Sequence, residues 1–497
     1  MRRVPAEPRD VARRRTSRAP LSLLGLGALL GAIACGDRGP LSPPTLEPLV
    51  VHVDGRWFRD AKQRVVLLRG VDYPVLVRGR HVGTKPQPRE EDFQRLAALG
   101  FNLIRLPMAW SSIEPRPGAY DPQYLRQHVD PLLRFASNAG MQVVLAMHQV
   151  RWSDCVRGGS GAPAWTCADT AGTPPRGGFG DAGTVAELRA ARAQCAFFAG
   201  AEAPDGRTLR EHYAEAWSTV AHYYEQDKRI AAFDLLNEPS AASCLPATSF
   251  VPEILTPYYR TLRRAVRGTR APQALAYQPA VTRNDPLAGA PRSVGGRSIL
   301  APHLYGQTFG PPRASDDGVG RLADDYARAV ELARALPGPL LIGEIGGDAA
   351  PQGSYRPTTP ELVAASFAQL DRLLIGGAVW AVVPAGDHRA GAALALDDDA
   401  TARLLARPFA RRIAGVPISM ELDDETGVWR FTFQDDPDRS PSDPTEIFLP
   451  ARRRYPTGFT VEVSAGDRWT FDERTQRLLV YRGAGDVHTV RVAPRAR

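Results

Sequence analysis

The chain has 497 residues, of which 43% are apolar, and a formal charge of +8. That length exceeds one average domain and fits a large barrel with one small module, and the apolar content excludes global disorder. Seven arginines against Glu7 and Asp10 put five of the eight surplus charges within residues 1–20, so the rest is nearly balanced and no nucleic-acid partner is expected.

Residues 1–35 read as an export signal. Arg13–Arg18 precedes the uncharged run Leu21–Ala34, about fourteen residues, which suits a signal's apolar stretch and is short for a membrane span. Ala32-Ile33-Ala34-Cys35 is similar to a bacterial lipobox, making Cys35 the expected lipidation site. The chain is therefore expected to be exported as an outer-membrane or cell-surface lipoprotein, or otherwise secreted. Residues 36–49 form a Pro-rich linker. A hairpin follows, Val50–Val53 and Trp57–Arg59 around Asp54-Gly55.

Eight short apolar runs come next: Val65–Asp72, Asn102–Pro107, Gln142–His148, Ile230–Asn237, Gln273–Tyr277, Ile299–His303, Leu340–Glu344 and Ala378–Val383. Helical patterns lie between them, among them Glu90–Leu99, Pro131–Ala139, Leu209–Gln226 and Asp324–Ala335. Near-continuous apolar strands separated by helices imply a parallel sheet buried on both faces, and eight repeats imply an α/β fold of the (β/α)8 (TIM) barrel type over residues 50–412. From 413 to 497 short strands alternate with turns and no helices, which predicts a C-terminal antiparallel β-sandwich.

Four cysteines remain beyond Cys35: Cys155, Cys167, Cys195 and Cys244. An even number in an exported protein favours two disulfides. Of three pairings, Cys155–Cys167 with Cys195–Cys244 is favoured because the first closes a short glycine-rich loop. No spacing suits a structural zinc site.

Side chains at the C-terminal ends of barrel strands line a barrel's mouth. Here those ends carry Arg105, His148, Asn237-Glu238, His303 with Tyr305, Glu344 and Trp380. Glu238 and Glu344, on strands four and seven, face each other across the mouth. Two such carboxyl groups suit glycoside hydrolysis, one as acid/base and one as nucleophile. Arg105 is placed to keep Glu344 ionised, and the negative partner is expected to raise the Glu238 pKa. Asn237 is placed to bond a sugar 2-hydroxyl. His148, His303 and Tyr305 are expected substrate contacts, and Trp380 a floor on which a sugar ring stacks. Two carboxylates suffice, so neither a metal nor an organic cofactor is called for.

Leu235-Leu236-Asn237-Glu238-Pro239, Ile104-Arg105-Leu106-Pro107, His303-Leu304-Tyr305 and Gly343-Glu344 together resemble glycoside hydrolase family 5. Within it, Met147-His148-Gln149 with Trp152-Ser153, Gly161-Ala162-Pro163-Ala164-Trp165 and the Tyr455-Pro456…Gly458 turn are similar to endoglycoceramidases, which release intact glycans from glycosphingolipids. The resemblance implies a retaining enzyme acting on a glycolipid or oligosaccharide; the lipid anchor at Cys35 is expected to hold it at a membrane surface, and a monomer is expected. Another family 5 activity on β-glucan or glucosylceramide is the alternative, and an inactive glycan-binding surface protein is a further one. The pattern differs at Ala146 and Val150, where Asp is usual, and at Asp72, where Asn is usual. These positions are expected to touch the sugar at the cleavage point.

Overall fold

The computed structural model describes residues 49–495 except 75, 77–87, 157–158, 172–181, 241–243, 245–246, 281–290, 306–318, 347–359, 384–393, 396–397, 440 and 442. The expected signal, Cys35 and all but the last residue of the linker lie outside the described residues. Among the described residues no helix is long and apolar enough to cross a membrane.

The barrel forms as its periodicity demands. Its parallel strands are Arg69–Asp72, Leu103–Ala109, Gln142–His148, Ile230–Asp234, Ala274–Tyr277, a sixth in two pieces (Ser298–Leu300 and His303–Leu304), Leu341–Ile345 and Gly376–Val379. The ring closes between strands six and seven, where His303 pairs with Glu344 and Leu300 with Leu340. Every residue of strands two and three is buried, as expected where helices cover one face and side chains fill the other. At the N-terminal ends of the strands, Leu103, Val144, Ile299 and Leu341 join Leu49, Val51 and Phe58 in one apolar cluster. The N-terminal hairpin thus seals the floor, and the opposite end is left for chemistry.

Helix Leu209–Tyr223 starts where its cap requires: Thr208 and Glu211 bond each other's backbone N–H, at 3.3 and 2.8 Å, satisfying two otherwise orphaned donors. The four cysteines pair as Cys155–Cys167 and Cys195–Cys244. The second bridge joins a helix that sequence periodicity did not single out, Ala182–Ala199, to the segment after Glu238.

Two elements differ from expectation. The run Val65–Asp72 divides: Arg69–Asp72 enters the barrel, while Val65–Val66 pairs antiparallel with Arg412 and Ile413. The hairpin, observed as Val51–Asp54 and Trp57–Asp60, joins the same sheet, whose other members are Phe409–Ile413, Thr445–Phe448, Arg477–Tyr481 and Arg468–Asp472. A two-stranded ribbon alone is marginal in water, so it takes a neighbouring sheet edge. A second sheet, Val416–Leu422, Trp429–Gln434, Val487–Pro494 and Phe459–Val463, completes the C-terminal part.

In the first of these sheets, the one the hairpin joins, a single carboxylate holds three guanidinium groups. Arg477 donates to Glu446 at 2.7 Å, and Arg411 and Arg412 approach it at 3.4 and 3.6 Å. Burial would raise the Glu446 carboxyl, but Arg477, Arg411 and Arg412 outweigh it and hold it at about 2. A depressed carboxyl stabilises the fold above its unfolded pKa, about 4.3, and that contribution fades as pH falls through the folded value. Glu446→Gln is expected to cost roughly 2–3 kcal/mol at pH 7 and much less at pH 2, read from urea midpoints. Equal losses at both pH values would refute the charge argument.

Candidate active site

Strand register brings the polar ends together. Asp72 and Arg105 are direct neighbours on strands one and two. His148 ends strand three, opposite Ala109. Asp234 ends strand four, with Asn237-Glu238 just beyond, and His303 lies opposite Glu344. Gly343 leaves room for that pairing, since a Cβ there would lie 2.9 Å from the His303 ring.

Arg105 is the centre of charge and is 1% exposed. Its Nε and Nη2 both donate to Asp234, at 3.0 and 2.8 Å. Nη2 also reaches Asn237 Oδ1 at 2.8 Å. Nη1 is shared between Asp72 Oδ1 at 2.8 Å and Glu344 Oε1 at 2.6 Å. Burial opposes its charge, but Asp234, Asp72 and Glu344 more than offset that and raise its affinity for the proton. One cation therefore faces three buried carboxyl groups. Asp72 shows the imbalance: burial, reinforced by Glu344, drives its carboxyl well above the usual range despite Arg105, and its Oδ2 is buried with no partner.

Glu344 is held on all sides. Oε1 takes Arg105 and lies 3.5 Å from His148 Nε2; Oε2 accepts the Tyr305 hydroxyl and lies 3.3 Å from His303 Nδ1. Burial would push this carboxyl up, but His303 and Arg105, with His148, overcome it and hold it well below the usual carboxylate range. Burial, and then the charges of Glu344 and Glu238, push the Tyr305 phenol up, so it remains a donor. Burial lowers the pKa of His148, whose ring stacks on Trp380 at 5.2 Å and 9°. Trp380 is half-buried.

Glu238 is more open, its side chain 27% exposed, and its Oε1 lies 2.9 Å from His303 Nδ1. One donor atom each from Glu238, His303 and Glu344 lies within 4.8 Å of the others. That spacing could admit a metal ion. Both Glu344 oxygens are already taken as acceptors, however, and the Arg105 charge opposes a cation, so the triangle suits proton transfer and carboxylate attack better.

The structure also brings in residues that sequence reasoning missed. Asp234 anchors Arg105, and Gln278 joins Asp234 (3.0 and 3.2 Å) to the Glu238 N–H (2.8 Å). A carboxylate inside the apolar run Ile230–Asn237 was the available signal. Asp72 and Ala146 have no exposed surface, which corrects the expectation that they touch a sugar. Any influence of theirs passes through Arg105 and Asp234, to which they are strand neighbours. Val150 is 41% exposed.

Residues 60–386 match the profile of Cellulase (glycosyl hydrolase family 5), and residues 407–492 that of the Glycoside hydrolase family 5 C-terminal domain. Endoglycoceramidase II from Rhodococcus sp., in its ganglioside GM3 complex, is similar in structure: TM-score 0.72, 25% identity, covering 89% of this chain and 100% of that one. Glucosylceramidase from Rhizopus delemar is 30% identical over 248 residues, 38% of this chain and 35% of the relative. Ergosteryl-beta-glucosidase from Saccharomyces cerevisiae is 47% identical over 79 residues, 16% and 10% respectively. The chain thus matches about a third or less of the length of these two curated relatives. With a profile spanning most of the chain, and with Arg105, Asn237, Glu238, His303 and Glu344 gathered at one barrel mouth, the chain belongs to glycoside hydrolase family 5 and is a glycoside hydrolase.

Proposed function

We propose that this protein is a retaining β-glycosidase that frees the glycan of a glycosphingolipid from its ceramide, with Glu344 as nucleophile and Glu238 as acid/base. The observation that carries the reading is the short gap between the carboxyl oxygens of Glu238 and Glu344, within 4.8 Å. Retaining enzymes hold their two carboxyl groups about 5–5.5 Å apart, and inverting enzymes place them farther apart to admit a water. The electrostatic asymmetry agrees: Glu344 is kept anionic by Arg105 and the histidines, as a nucleophile must be.

In the first half-reaction a Glu344 oxygen attacks the anomeric carbon as the bond to the ceramide oxygen breaks, and Glu238 gives that oxygen its proton. In the second, Glu238 takes a proton from water. The hydroxide attacks the same carbon, Glu344 leaves as carboxylate, and the glycan departs with its original anomeric configuration. Asn237 bonds the 2-hydroxyl, His303 sits between the two carboxyl groups, Tyr305 stabilises Glu344, and Trp380 offers a sugar the face turned away from His148.

Lipid substrates are favoured because Rhodococcus sp. endoglycoceramidase II has been captured with ganglioside GM3 and as a lactosyl-enzyme intermediate. A simpler glucosylceramide or steryl glucoside is the second reading, favoured by the names of the curated relatives. Incubation with a ganglioside, glucosylceramide and a soluble β-glucan, followed by thin-layer separation, decides between them. Free ceramide with intact oligosaccharide is the expected result, and turnover of the glucan alone would overturn it. A monomer tethered through Cys35 would work at the surface where such lipids lie. Cys35→Ser is expected to move the protein from the membrane fraction to the soluble one, and retention in the membrane would refute the anchor.

A further inference from the structure

The two carboxyl groups are held by different means. Glu344 is fixed through its side chain by Arg105, Tyr305 and the histidines. The Glu238 carboxyl has, among the described residues, one hydrogen-bond partner, His303. Its direction therefore depends on its backbone, which sits at φ +44°, in the left-handed region that a residue with a Cβ rarely adopts. Such a conformation persists only where its surroundings over-determine it.

Three buried glutamines from three separate elements do so. Gln278, just beyond strand five, accepts the Glu238 N–H at 2.8 Å, and its own backbone is tied to the Tyr259 hydroxyl at 3.0 and 3.2 Å. Gln149, just beyond strand three, donates to the Asn237 carbonyl at 3.0 Å and to that of Glu238 at 3.4 Å, while its Oε1 accepts the Trp152 N–H at 2.7 Å. Gln194, on helix Ala182–Ala199, accepts the Ser240 N–H at 3.0 Å. The next residue on that helix, Cys195, is bridged to Cys244, so the helix grips the segment after Glu238 twice. The exposures of Gln278, Gln149 and Gln194 are 1%, 7% and 9%.

We propose that Gln149, Gln194 and Gln278 form a side-chain amide clamp on the backbone of residues 237–240 that aims the Glu238 carboxyl, making them positioning residues for proton transfer rather than for nucleophilic attack. This rests on the assignment of Glu238 as acid/base. Loosening the clamp at Gln194 misdirects the proton donor and leaves Glu344, bound elsewhere, in place. Helix Ala182–Ala199, which carries Gln194 and Cys195, is thereby coupled to catalysis without touching substrate.

The test compares kcat/KM on an alkyl β-glycoside, whose leaving oxygen needs a proton, with that on the 2,4-dinitrophenyl glycoside of the same sugar, which does not. Gln194→Met is expected to lose about 10–100-fold on the alkyl glycoside, part of the general-acid contribution, and less than about 3-fold on the dinitrophenyl one. Retained dinitrophenyl activity also reports that the variant is folded; Gln278 is left unchanged because its amide also holds Asp234 beneath Arg105. Gln194→Glu, which keeps an acceptor for the Ser240 N–H, should stay within about 3-fold of wild type on both. Equal losses on the two substrates, or none, would overturn the clamp while Glu238→Gln still showed the contrast. Absence of the contrast in Glu238→Gln itself would overturn the acid/base assignment and the clamp with it.

Discussion

Glu344→Gln is expected to lose turnover of every substrate, on the order of 10⁴-fold or more, whatever the leaving group. No covalent intermediate can form without the nucleophile, and the amide keeps the shape of the site while removing the charge that Arg105, His148 and His303 sustain. Glu238→Gln should behave differently. On the proposed reading the leaving group is a ceramide alkoxide, which leaves badly without a proton, so lipid cleavage should fall about 10²–10⁴-fold. A dinitrophenolate leaves unaided, so the glycosyl-enzyme should still form from the activated glycoside and then accumulate, since no base remains to activate water. A 2-fluoro sugar with a good leaving group should label the wild-type protein at Glu344 and nowhere else, as peptide mapping would show. Labelling at Glu238, or an inverted product anomer by NMR, would exchange or abolish the two roles.

How much of this was legible in the sequence follows from the range of each interaction. The barrel was readable because a helical or strand period is local, and each of the eight apolar runs overlaps an observed barrel strand. His148, Asn237, Glu238, His303 and Glu344 were readable because a polar residue at the end of an apolar run has few reasons to be there, and Arg105 because a cation inside one needs a buried partner. The pairing of Val65–Val66 with Phe409–Ile413, which brings the N-terminal hairpin into that sheet, was not, since β pairing across more than three hundred residues leaves no local trace. Nor were the positions of Asp234 and Gln278, whose importance lies in which neighbouring strand ends they face. Asp72 was seen as a departure and placed at the sugar. Its register beside Arg105 puts it underneath instead, and only the assembled barrel shows that.

Arg105→Met tests whether this buried charge balance governs the site. The guanidinium is the cation shared by Asp72, Asp234 and Glu344, and removing one partner of a buried ionic cluster costs roughly 3–5 kcal/mol because the others are left uncompensated. The pH dependence identifies the cause. In the wild type the depressed Glu344 carboxyl stabilises the fold above its unfolded pKa of about 4.3, a contribution lost as pH falls. Asp72 acts in the opposite sense: its raised carboxyl favours the fold below the ordinary Asp value, and that contribution is lost as pH rises. Without Arg105 burial counts for more at both groups, so the stability gap between variant and wild type should widen from pH 4 to pH 7 in urea titrations. The acid limb of kcat/KM should move to higher pH as Glu344 becomes easier to protonate. Adding Asp72→Asn to the variant removes one of the repelling carboxyl groups without changing the shape of the site, so it should recover part of the loss at pH 7 and little at pH 4. A gap that stays constant with pH, and is indifferent to Asp72→Asn, would mean that Arg105 serves by packing alone.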